Sequence, residues 1–145
     1  MKKRPLYLIF PIITLILEIL PYGAVCNFMR PATDGSIGHF RELYSYFDLM
    51  PFGYANFAPL ITAVFTCLIT VLLVFYCITG KIRIAAAAKN LSYVCVVFSL
   101  GPVTLGFHFL SIVGILITLC LIGETLLLRS LLKEANQNDG SETCR

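Results

Sequence analysis

The residue with the clearest chemical potential is Glu18, inside the otherwise uncharged stretch LEILPYGAVCNF at residues 17–28. A charged side chain at the centre of a bilayer costs about 2.5–3.5 kcal/mol, so it normally faces the protein interior and has a partner there. The candidate partners are His108, Arg30 and Arg41. Alternatively, Glu18 stays protonated, because removal from water disfavours the charged form.

Three roles are open for a glutamate in this setting. It can hydrogen-bond a neighbouring helix and fix the register of a bundle, handle a proton or a cation, or contact a partner protein's helix. Thr14 lies four residues earlier, on the same helix face. The candidate intramembrane site therefore consists of Glu18, His108 and Thr14.

A second feature is a short motif, Pro-aromatic-Gly followed by Asn-Phe, that occurs twice. It is PYGAVCNF at residues 21–28 and PFGYANF at residues 51–57. Proline and glycine break helices, and aromatic residues favour the membrane interface. We interpret the two phrases as similar membrane exits that bracket one outer loop. The alternative is a binding notch lined by aromatic and asparagine side chains: Tyr22, Asn27, Phe52, Tyr54 and Asn56.

The chain lacks the motifs of the common enzyme classes. It has no HExxH, GxSxG, Walker loop or glycine-rich dinucleotide fingerprint. No ligand spacing supports a metal site, and no CxxC motif exists. The cysteines within the apolar runs are expected to act as small hydrophobic residues. We predict no enzymatic activity, no metal and no cofactor.

The composition decides the broad class. Of the 145 residues, 58% are hydrophobic and only 13% are charged, and the mean hydropathy is +0.85. Soluble domains carry about 25% charged residues, so the sequence predicts an integral membrane protein. Its charges are thinly spread and flank the apolar runs, which argues against a nucleic-acid partner.

The position of the basic residues predicts the orientation. They lie at the start of the chain, in the middle and after the last apolar run: Lys2, Lys3, Arg4, Lys81, Arg83, Lys89, Arg129 and Lys133. Short basic segments stay on the cytoplasmic side, so we expect a multi-pass protein of the cell membrane with both termini cytoplasmic. Glu124 is expected near the inner surface, in an ion pair with Arg129, Arg83 or Lys89.

A membrane-crossing helix needs roughly 20 mainly apolar residues. The sequence predicts an all-α, four-helix transmembrane bundle as a single domain over residues 1–134, with spans at about 5–25, 55–79, 84–104 and 107–128. The third span either begins near Arg83 or kinks through Pro102, or both. Residues 135–145 are expected to form a disordered, polar cytoplasmic tail.

The outer loop contains SIGHFRELYSYFDLM at residues 36–50. Ile37, Phe40, Tyr44 and Phe47 follow helical spacing in it, which predicts a short amphipathic helix on the membrane surface. Each span also carries small or hydroxyl residues at helical spacing, which are typical of helix packing in lipid. A more specific interpretation is that these stripes form a continuous row of polar side chains through the interior of the bundle. They comprise Thr62, Thr66 and Thr70; Ser92, Cys95 and Ser99; and Ser111, Gly114, Thr118 and Thr125.

The arrangement of a long first outer loop, a short inner turn and a short second outer turn resembles that of claudin-like tetraspan proteins. The chain has no tryptophan and lacks the paired loop cysteines of the claudin motif, so this resemblance implies the layout alone. With stretches such as LPYGAV and YFDLMPFGYANF, the chain is also similar to small four-span integral membrane proteins of bacteria. That resemblance implies no particular activity.

For a small chain without a catalytic motif, we predict a structural or accessory subunit that packs against another membrane protein. The alternative is a small oligomeric transporter or channel, coupled to an ion or a proton, that uses Glu18. The expected partners are the lipid bilayer and either another membrane protein or a second copy of the chain.

Overall fold

The computed structural model describes residues 4–31, 37–48, 57–106 and 109–142. A 3-10 turn at Arg4–Leu8 leads into α1 at Ile9–Ile19. Two strands follow, β1 at Ala24–Pro31 and β2 at Ile37–Tyr44. The remaining helices are α2 at Ala58–Thr79, α3 at Ile82–Ser99, α4 at Gly101–Leu105 and α5 at Ile112–Glu142.

The ends of several helices follow from local sequence. Leu20, which precedes Pro21, adopts an extended backbone with ψ of 136° and ends α1, because proline disfavours the helical conformation of the residue before it. Gly80 ends α2 in the left-handed conformation, with φ of 69°, and donates its N–H to the Tyr76 carbonyl at 2.8 Å. α3 begins at Ile82 and stops at Ser99, before Gly101 and Pro102 restart the helix as α4.

The four long elements pack in a ring. α1 packs against α2 and α5, and α3 packs against the same two helices from the other side. Fully buried aliphatic side chains fill much of the interior, among them Ile69, Leu73, Ile117 and Leu121. Large apolar side chains cover the outside, including Ile78, Val97 and Ile112 at 74%, 69% and 80% exposure. An apolar surface this extensive is typical of a surface that contacts a membrane or another protein.

Three helices are long and apolar enough to cross a membrane: Ala58–Thr79, Ile82–Thr104 and Ile112–Ala135. The first apolar helix, Pro5–Ile19, is shorter than these. α5 continues to Glu142, through most of the segment for which the composition predicts disorder.

The prediction of an amphipathic helix in the first loop is wrong. Ile37–Tyr44 is instead a strand that pairs antiparallel with Ala24–Pro31, with Phe28 opposite Phe40. The predicted helical stripe depended on three aromatic residues, and aromatic residues also favour strands. β1 supplies the hydrogen-bonding partner, which the pattern of the loop alone does not reveal.

The hairpin is held by the bundle at its strand ends. Two-stranded hairpins are at best marginally stable in isolation, but Ala24, Val25 and Cys26 at the start of β1 are buried here. Beyond β2, Tyr46 is buried to 2% exposure. We call this the hairpin end of the bundle, and the α2–α3 turn marks the opposite end.

Candidate functional site

Glu18 lies on the inner face of α1. Pro11, Thr14 and Glu18 are the buried residues of that helix, and their spacing of three and four places them on one face. The Glu18 side chain has no solvent exposure. Its Oε1 accepts a hydrogen bond from the Thr66 hydroxyl at 2.8 Å, whereas its Oε2 is buried with no partner among the described residues.

The Thr66 hydroxyl has a choice of acceptors. It lies 2.8 Å from Glu18 Oε1 and 3.0 Å from the Thr62 carbonyl, and it carries a single proton. If Glu18 is ionised, Thr66 donates to the carboxylate. If Glu18 is protonated, the carboxylic acid can donate to Thr66 while Thr66 donates to Thr62. Glu18 can therefore form a hydrogen bond with Thr66 in either protonation state without movement of a helix.

Cys95 on α3 contacts the same hydroxyl group, and we call Glu18, Thr66 and Cys95 the Glu18 layer. Its Sγ lies 3.7 Å from the Thr66 hydroxyl and donates to the Thr62 carbonyl at 3.6 Å. Residues of α1, α2 and α3 thus meet around one carboxyl group.

A second carboxyl group, Glu124 on α5, is buried in the same interior. It has no solvent exposure, and neither of its side-chain oxygens has a hydrogen-bond partner in the described part of the chain. The expected ion pair at the membrane surface is therefore wrong. The reason is the helix face: Ile117, Leu121, Glu124 and Leu128 follow helical spacing and are all fully buried. This spacing is visible in the sequence, but the predicted stripe of small and hydroxyl residues follows a neighbouring face, on which Ser111 and Thr125 are buried and Gly114 and Thr118 are partly buried.

The two carboxyl groups occupy neighbouring layers. Thr125, next to Glu124, donates to the Ser92 hydroxyl at 3.1 Å, and Cys95 belongs to the Glu18 layer. Ser92 and Cys95 are three residues apart on α3, which corresponds to about 4.5 Å along the helix axis.

The hairpin closes the bundle directly above Glu18. The Ser45 hydroxyl and the Tyr46 N–H both donate to the Glu18 carbonyl, at 2.9 Å and 3.0 Å. A Cβ at Gly23 would lie 2.8 Å from the Tyr46 ring, so this close approach requires glycine. Burial, assisted by the Glu18 carboxyl, raises the pKa of the Tyr46 phenol, which therefore stays neutral.

Of the partners predicted for Glu18, Arg41 donates instead to the Leu110 carbonyl at 3.2 Å, and His108 lies outside the described residues. Thr14 is fully buried and donates to the Phe10 carbonyl at 2.9 Å. The partner that the structure provides for Glu18 is Thr66, which the sequence placed in a hydroxyl stripe but did not pair with Glu18.

The predicted outer notch is only partly described. Tyr22 is 55% exposed and Asn27 lies partly buried in β1. Phe52, Tyr54 and Asn56 lie outside the described residues. In the part of the chain that is described, no group of three or more His, Cys, Asp or Glu side chains could hold a metal ion.

In comparisons with protein-family models, curated proteins and solved structures, nothing matches this chain.

Proposed function

We propose that this protein is a four-span protein of the cell membrane that takes up and releases protons through Glu18 and Glu124. The observation that carries the proposal is the pair of fully buried carboxyl groups, of which three side-chain oxygens have no hydrogen-bond partner among the residues that the structure describes. Two unpaired negative charges in an apolar interior are strongly unfavourable. At least one of the two groups therefore carries a proton or neutralises a cation in transit.

A first span is supported by the packing of α1. The 3-10 turn has 5 residues and α1 has 11, which together give a length of roughly 26 Å. A hydrocarbon core is about 30 Å thick. The Leu20–Gly23 turn and the buried start of β1 continue this segment at the hairpin end. The basic residues Lys81 and Arg83 lie at the opposite end, which supports a cytoplasmic position for that end.

The site can exchange protons without a large change in structure. Thr66 can hydrogen-bond Glu18 in either protonation state, as its two acceptors allow. The hydroxyl groups of Thr14, Ser92 and Thr125 are buried in the same interior, at or near the level of Glu124. Hydroxyl groups both donate and accept hydrogen bonds, so they are suited to relaying a proton between the layers.

Proton flux in reconstituted vesicles tests the proposal. The full-length protein is inserted into liposomes that contain a pH-sensitive dye, and a potassium gradient with valinomycin drives proton entry. We expect flux above that of protein-free liposomes, and we expect Glu18→Gln and Glu124→Gln to abolish it. Glu134→Gln is the matched control, because Glu134 is an exposed carboxylate on the same helix as Glu124.

Wild-type flux equal to that of empty liposomes would overturn the proposal, as would full flux in Glu18→Gln. Circular dichroism and gel filtration establish that each variant is folded. Folding of Glu18→Gln is expected, since an amide oxygen can still accept the Thr66 hydrogen bond.

A second candidate function is that of an accessory subunit for another membrane protein. This function is favoured by the dense packing at the end of the bundle opposite the hairpin. There, Leu73 and Leu128 are fully buried and Tyr76 is nearly fully buried. Such packing leaves little room for a conduction path in a single chain. Purification in mild detergent from native membranes, followed by mass spectrometry, distinguishes the candidates: a stoichiometric companion protein supports the accessory role.

A further inference from the structure

A cavity of about 300 Å³ lies at the hairpin end of the bundle, and neither Glu18 nor Glu124 lines it. Its walls come from the end of α3, from α4, from residues 109–111 and from the first half of α5, with Gly23 beside them, and they are mostly apolar. Val103, Ile115 and Leu119 line it and are themselves 42%, 46% and 57% exposed. The cavity therefore opens sideways, on the surface that faces lipid. We call it the lateral groove.

A positive charge lies next to one residue of the lateral groove. The Arg41 side chain, on β2, donates from Nη2 to the carbonyl of Leu110, and Leu110 lines the groove. Arg41 is exposed, and no carboxylate of the described residues lies within ion-pair distance of it. A guanidinium group has five N–H donors in a planar fork that matches phosphate. Most of the donors of Arg41 are available to a ligand.

The length of the lateral groove matches one leaflet of a bilayer. It extends from Ser111, just before α5, along the helix to Leu119, and eight residues of helix rise about 12 Å. Half of a hydrocarbon core of about 30 Å is about 15 Å. The groove thus runs from the level of the hairpin almost to the middle of the membrane, with the charge at its outer end.

We propose that the lateral groove binds one acyl chain of an anionic phospholipid, whose phosphate lies against Arg41. The apolar walls receive the chain and the guanidinium group selects the headgroup charge. This site is separate from the carboxyl pair and does not depend on proton transfer.

The experiment is native mass spectrometry of the full-length protein in mild detergent, titrated with phosphatidylglycerol or with phosphatidylcholine. We expect one molecule of phosphatidylglycerol to bind about tenfold more tightly than phosphatidylcholine. Arg41→Gln should remove this preference. Val103→Trp should fill the groove and weaken the binding of both lipids, whereas Val97→Trp, at a lipid-facing position that does not line the groove, should bind as the wild type does.

Equal binding of the two lipids by the wild-type protein would overturn the proposal. Unchanged phosphatidylglycerol binding in Arg41→Gln would show that the headgroup lies elsewhere, and unchanged binding in Val103→Trp would show that the chain lies outside the groove. Inorganic phosphate should not compete at the concentration of the lipid, because the acyl chain supplies much of the binding. Effective competition by phosphate would refute a lipid site.

Discussion

Replacement of Glu124 by leucine should stabilise the protein, although most substitutions of buried residues destabilise. Both carboxyl oxygens of Glu124 are buried without a hydrogen-bond partner. An unsatisfied buried polar group costs about 1–3 kcal/mol. Leucine removes both oxygens and retains most of the side-chain volume, while imperfect shape costs up to about 1.5 kcal/mol. We expect a net gain of about 2 kcal/mol in the free energy of unfolding.

The assay is thermal unfolding of the purified protein in detergent, followed by circular dichroism at neutral pH. For a chain of this size, about 2 kcal/mol corresponds to a rise in Tm of about 4–8 °C. Leu121→Ala is a control for sensitivity, because Leu121 is fully buried one turn away and its truncation should cost about 2–5 kcal/mol.

Glu18→Leu provides a second comparison. It removes one unpaired oxygen but also the hydrogen bond from Thr66, so the gain should be smaller than for Glu124→Leu. A Glu124→Leu variant that unfolds at a lower temperature than the wild type would refute the reasoning, since the carboxyl group would then have a stabilising partner. A variant that is more stable but inactive in proton flux would show that Glu124 is retained for function rather than for folding.

Three further outcomes follow from contacts outside the carboxyl pair. A Cβ at Gly101 would lie 2.6 Å from the Ala58 Cβ. Gly101→Val should therefore lower the unfolding free energy by about 1–3 kcal/mol. Adding Ala58→Gly to this variant should restore part of the lost stability in the same thermal assay. Burial, with a smaller contribution from the Glu42 carboxylate, raises the pKa of the Cys26 thiol. Maleimide labelling of Cys26 at pH 8 should therefore be at least about tenfold slower in the folded protein than in SDS. Equal labelling rates would contradict the buried position of Cys26. The hydrogen bond that Tyr44 donates to Glu42 raises the pKa of Tyr44 to about 12. Because this folded-state pKa lies above the ordinary value of 10, the stabilisation is complete below pH 10 and is lost between about pH 10 and 12; an ultraviolet titration of the phenolate, with Tyr44→Phe as control, should show that late transition.

The sequence by itself determined the apolar character of the protein and much of its helical framework. Hydropathy is a local sum over about 20 residues, so the three long apolar helices could be identified without knowledge of the fold. The inward faces of α2 and α3 could also be predicted, because small and hydroxyl residues recur at helical spacing. Thr62 and Thr66 on α2, and Ser92, Cys95 and Ser99 on α3, are indeed buried, whereas Thr70 is only partly buried.

The candidate site could be predicted in part. A carboxyl group in an apolar run must face inward, and the structure gives Glu18 no solvent exposure. Its partner Thr66 lies 48 residues away in the chain. No local pattern specifies which of several inward hydroxyl groups reaches a given carboxyl oxygen, because that depends on the rotation and depth of two separate helices.

Only the tertiary structure decided the form of the first loop and the position of Glu124. A strand depends on a partner for its hydrogen bonds, and Ile37–Tyr44 pairs with Ala24–Pro31. The helical spacing of aromatic residues within one segment therefore could not distinguish a helix from a strand. In α5, the stripe of small and hydroxyl residues does not contain Glu124, and packing against α1 and α3 selects the face that turns inward. Hydropathy measures whether a helix prefers lipid to water, but a face is selected by contacts between helices.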